Sequence, residues 1–115
     1  MKLEAKYLDG LVLHPLSEWS MENGNLIQKI PIINELKIRI GILGAPVPMK
    51  IGNRQLPPTF KMGQLIKLDG VTKYIVSIEP AFLSEGSQPS VIYQYTLENN
   101  KEELPIWWST DIKTR

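Results

Sequence analysis

At 115 residues and a net charge of +1, the chain is long enough for one core and too short for two. It also lacks the basic excess that phosphate neutralisation asks of a dedicated duplex-DNA binder. Its 43% hydrophobic and 22% charged residues exclude the composition of disordered chains, and the absence of cysteine excludes disulfides and thiolate metal sites.

Met1 to Gly10 alternates charged and apolar groups, with no apolar stretch to follow, so it does not read as a signal peptide. The longest apolar-leaning stretch, Leu36–Val47, is short and broken by Lys37 and Arg39, so no membrane span is expected. A reducing, cytoplasmic setting follows as the expectation.

Glycine and proline punctuate the chain too often for long helices. Short strands are predicted at Leu3–Leu8 and Leu11–His14, divided by Asp9-Gly10. Ser17–Glu22 suggests one helical turn with Ser17 as its cap. After the Asn23-Gly24 turn, Asn25–Ile33 reads as a strand. Glu35–Leu43 carries the best alternation, with Leu36, Ile38, Ile40 and Ile42 on one face. Gly41 and Gly44 read as a strand bend rather than a phosphate loop, because no helix follows. Ala45–Pro58 holds four prolines and reads as a connection, with a strand fragment at Lys50–Ile51 and a turn at Gly52-Asn53.

Asp69-Gly70, between Gln64–Leu68 and Val71–Glu79, is a two-residue hairpin signal. Alternation assigns Ile66, Leu68, Tyr74, Val76 and Ile78 to the core and places Lys73, Ile75, Ser77 and Glu79 opposite. Ser84–Ser90 is predicted to be a polar loop. Val91–Leu97 is a strand with Tyr93 and Tyr95 on one face, Asn99-Asn100 a turn and Leu104–Trp108 a last strand. Thr110–Lys113 reads as a closing helical turn.

The expected architecture is one all-β domain over 1–115, a small barrel or bent sheet. N-terminal strands occupy 1–44, the proline-rich connection 45–58 and barrel strands 59–115. From Phe60 onward the order of strand, Asp-Gly hairpin, strand, loop, strand, turn and strand resembles an SH3-like barrel, in architecture only.

Little points to catalysis. His14 is the one histidine, it precedes Pro15, and no G-x-S-x-G elbow exists. Asp9 and Asp69 are turn formers, and the adjacent Glu102 and Glu103 chelate poorly from an extended segment, so neither a metal nor a cofactor is expected. The aromatic residues say more. Leu104, Ile106 and Trp108 share one face of an extended segment, which leaves Trp107 facing outward, as binding surfaces favour. Trp107, Tyr93, Tyr95, Lys67 and Lys73 are therefore the candidate binding residues. The expected function is a non-catalytic interaction module, a small accessory component of a larger assembly such as a phage or plasmid encodes. Its partner would be another protein or a second copy of the chain. The alternative is a nucleic-acid-binding accessory protein that uses the same aromatic and lysine residues. A third possibility is an enzyme built on His14 or scattered carboxylates.

Overall fold

Two pairs of left-handed residues set the short hairpins. Asn23 and Gly24 have φ of 53° and 80°, and Asp69 and Gly70 have φ of 48° and 81°. Both pairs suit the two-residue turn whose twist matches that of its strands. The computed structural model describes residues 1–6, 11–31, 56–85 and 88–114. The Glu35–Leu43 strand, the Gly41–Gly44 bend, the turns at Asp9-Gly10 and Gly52-Asn53, the Lys50–Ile51 fragment and the Ala45–Gln55 part of the connection lie outside the described residues.

The strands are β1 (Lys2–Ala5), β2 (Glu18–Glu22), β3 (Asn25–Pro31), β4 (Leu65–Leu68), β5 (Val71–Glu85), β6 (Gln88–Asn99), β7 (Trp108–Asp111) and β8 (Lys113–Thr114). They form one sheet in the order β7-β1-β4-β5-β6-β3-β2-β8. All pairs are antiparallel except β2 with β8. Among the described residues there is no helix, and so none long and apolar enough to cross a membrane.

The two ends of that strand order are one piece of chain. β7 pairs with β1 at one edge, β8 pairs with β2 at the other, and only Ile112 separates them. The sheet therefore curls into a nearly closed barrel whose last stave is residues 108–114. Ile112 is buried at the changeover, and its N–H donates to the Met1 carbonyl at 2.8 Å. The N-terminal strands are staves of the same barrel, since β1 lies between β7 and β4, and β3 lies beside β6.

Several local expectations are corrected. Ser17–Glu22 is not a helical turn: Trp19 and Met21 face Gln28 and Leu26 across β2–β3, a period-two pattern that only a strand buries. Thr110–Lys113 is likewise extended, because Ile112 must reach the core while its neighbours bond to two different strands. Leu11–His14 is not a strand; it leads into a turn in which the Ser17 N–H donates to the His14 carbonyl at 2.9 Å. Most of the Ser84–Ser90 loop belongs to the long β5–β6 hairpin, with Ser84 opposite Pro89 and Glu85 opposite Gln88. The last strand begins only at Trp108. The segment before it crosses the outer face of the sheet, tied by Asn100 N–H to the Thr72 carbonyl, by a 3.7 Å Lys67–Glu103 ion pair and by Trp107 N–H to the Ala5 carbonyl.

Inside the barrel lie Leu3, Ala5, Trp19, Leu26, Ile30, Phe60, Ile66, Leu68, Ile75, Val91, Tyr93, Tyr95 and Ile112. Ile66 and Leu68 are core as expected, but the return strand departs from simple alternation. A register shift between Ile75 and Ser77 leaves Val76 as an extra residue. That bulge turns Ile75 inward against Leu97, puts Tyr74 outside beside Glu98 and restores Ile78 to the core side opposite Tyr95.

Because one residue joins both edges of the barrel, Ile112→Ala is expected to cost about 2–5 kcal/mol by denaturant unfolding. A loss below about 1 kcal/mol would show that the stave does not depend on this side chain.

Candidate functional site

The polar centre of the barrel is the side chain of Gln28, which is fully buried on β3. Its Nε2 donates to Ser17 Oγ at 3.0 Å and to Thr59 Oγ1 at 2.7 Å. Its Oε1 accepts the Tyr95 hydroxyl at 2.6 Å and the Thr59 N–H at 3.3 Å. Both amide protons and both oxygen lone pairs are thus used, which a buried amide requires if burial is not to be costly. The Tyr95 oxygen accepts in turn from the Phe60 N–H at 3.5 Å, and the Tyr93 hydroxyl donates to the Leu56 carbonyl.

These bonds correct two of the candidate binding residues. Tyr93 and Tyr95 do share a face, but it is the inner one; both are buried, and their hydroxyls hold Leu56–Phe60 against the barrel. Burial pushes both tyrosines above their usual pKa, Tyr95 the further. Around them a ring cluster packs. Trp19 lies 5.3 Å from Phe60, 6.2 Å from Tyr95 and 6.0 Å from Trp108, measured between ring centroids.

The polar network abuts a fissure in the barrel wall. β8 follows β2 in parallel at Ser20–Lys113 and Met21–Thr114, but beyond Ile112 the last stave turns to β1. Among the described residues no ladder joins the start of β2 to β7, and a cavity of about 280 Å³ lies there. Trp19 and Trp108 lie on its walls with Leu13, His14, Pro15, Ser17, Thr59 and Thr110. Among the described residues no Lys, Arg, Asp or Glu lines it. His14 Nε2 sits 2.9 Å from the Pro57 carbonyl, which can only accept, so this nitrogen carries the proton. His14 is therefore half-buried in a loop rather than at a strand end, and its contact is structural.

The outer face carries two of the three remaining candidates, Trp107 and Lys67. Trp107 is 65% exposed, whereas its neighbour Trp108 packs against the core through Trp19 and Phe60. Lys6 Nζ lies 5.5 Å from the Trp107 ring, a cation–π contact. Lys67 belongs to the same outer face, two strands from β7, where it pairs with Glu103 and lies opposite Glu4. Lys73 is apart from them, donating to Asn99 Oδ1 at 3.0 Å. Trp107 and Lys67 are thus brought to one face, and Tyr93, Tyr95 and Lys73 are not. Lys6 was missed because a lysine beside an unplaced tryptophan has no sequence signature. The fissure was missed because its walls come from three distant segments. Among the described residues no group of His, Cys, Asp or Glu is placed to hold a metal ion. No protein-family model, curated protein or solved structure matches the chain.

The tyrosine network predicts an alkaline transition. With the native Tyr95 value raised, its stabilisation is complete below the unfolded tyrosine value of about 10 and is lost as pH rises above it. Tyr95→Phe is expected to cost about 1–3 kcal/mol at pH 8, by removing a donor from Gln28, yet to lose stability less steeply between pH 10 and 11.5. Melts across that range check this; parallel slopes for the two proteins would remove Tyr95 as the cause.

Proposed function

We propose that this protein is a non-catalytic interaction module that presents Trp107 and its Lys6 companion to a protein partner or to a second copy of itself. The observation that carries the reading is the contrast between adjacent tryptophans, one in the core cluster and the other 65% exposed. A large indole left in water beside a lysine supplies the apolar area and adaptable charge that anchor interfaces. The wiring of His14 to a carbonyl supports a role without catalysis. The pairing of Lys67 with Glu103 favours a protein partner over nucleic acid, whose phosphates reward unpaired cations. The cysteine-free composition fits action in the cytoplasm.

Two single substitutions test this together. Trp108→Ala is expected to destabilise by about 3–5 kcal/mol, as loss of a core aromatic does. Trp107→Ala should cost no more than about 1 kcal/mol of stability. It should nonetheless abolish self-association in sedimentation, or weaken capture of the partner by about 2 kcal/mol or more. Capture is compared with and without nuclease and across salt. A nuclease-sensitive partner, or a steep loss of affinity with salt, would replace the protein reading with a nucleic-acid one. Unchanged behaviour of Trp107→Ala in every assay would reduce it to an exposed aromatic.

A further inference from the structure

We propose that the fissure between β2 and β7 is a binding site for a neutral pyranose sugar, separate from the Trp107 face. Three observations combine. First, the gap follows from topology: the last stave leaves β2 at Ile112, so the wall is open where Ser17 and Thr110 would continue the parallel register. Second, the lining holds hydrogen-bonding capacity that the described residues do not use. Ser17 Oγ and Thr59 Oγ1 both accept from Gln28, so each keeps its own O–H for donation. Neither of those protons, nor the Thr110 hydroxyl, has an acceptor among the described residues. His14 supplies the opposite polarity: with Nε2–H committed to Pro57, Nδ1 of the neutral ring is an acceptor. Third, two indoles flank these groups, and Trp108 is only half-buried.

The chemistry of the ligand follows from this lining. With no Lys, Arg, Asp or Glu among the described lining residues, none of these side chains compensates a phosphate, carboxylate or ammonium. The two indole planes meet at 62°, so they form no parallel slot for a flat base. A pyranose offers an apolar C–H face to one indole and a rim of hydroxyls, each both donor and acceptor, to Ser17, Thr59, Thr110 and His14. A cavity of about 280 Å³ has room for one such ring.

The test titrates the intact protein with methyl glycosides of glucose, galactose and N-acetylglucosamine, following the three indole N–H signals by NMR. The expected result is a saturable shift of the Trp19 and Trp108 signals, but not of Trp107, by at least one glycoside. A dissociation constant of about 1 mM is the order set by a ligand of roughly a dozen heavy atoms. Thr110→Val, which keeps the branched shape, is expected to weaken that binding about 5- to 10-fold without lowering Tm. Met62→Ala, on an exposed turn residue away from the cavity, should leave it unchanged. Uridine and glucose 6-phosphate serve as the aromatic and charged comparisons. No saturation by any glycoside at 50 mM, tighter binding of uridine or glucose 6-phosphate, or full affinity in Thr110→Val would each overturn the proposal.

Discussion

The amide of Gln28 is the constraint on which the arrangement of this barrel depends. One side chain on β3 bonds to the residue that leads into β2, to the start of the segment that leads into β4 and to a tyrosine of β6. None of the three can shift without stranding a buried polar atom, so the amide sets their spacing more sharply than apolar packing would. Phe60 is held beside it through Tyr95, and the ring cluster of Trp19, Phe60, Tyr95 and Trp108 assembles on that scaffold. Gln64 offers the contrast: its Oε1 accepts from the Lys61 N–H, but its buried Nε2 has no partner among the described residues. A lone buried amide can be left half-satisfied where it joins only its own turn.

Much of the fold was legible where the signal is local. Asp69-Gly70 and Asn23-Gly24 are turns because their residues tolerate positive φ, a property of the dipeptide itself. The inward face shared by Val91, Tyr93, Tyr95 and Leu97 follows from strand geometry alone. The failures share a different cause. Val76 bulges because β5 must bend where it leaves β4 and continues along β6, and that bend is decided by neighbours far away in sequence. Tyr93 and Tyr95 read as ligand-stacking residues, yet their hydroxyls find partners at Leu56, Gln28 and Phe60, which no spacing rule connects to them.

The tryptophans show how strand parity and chain path combine. Parity separates Trp107 from Trp108 from sequence alone, and the structure places them on opposite sides of the wall. What parity does not convey is that residues 100–107 travel across the outer face before β7 begins, which delivers Trp107 next to Lys6, the residue after the first strand. The same path gives Lys67 its acidic partner, Glu103.

The closing stave also has a temporal meaning. During synthesis every other strand of the barrel emerges before residues 108–114, so β1 waits for β7 through nearly the whole length of the chain. Until then Trp19 lacks its Trp108 neighbour, and the edges of β1 and β2 that the last stave will occupy stand open. A ribosome-bound chain of this protein therefore passes through a stage in which two adhesive strand edges and an uncovered indole are present together, when association with a neighbouring nascent chain competes with closure. The few residues around Ile112 end that competition, which makes the speed of their arrival, as well as their packing, a determinant of yield.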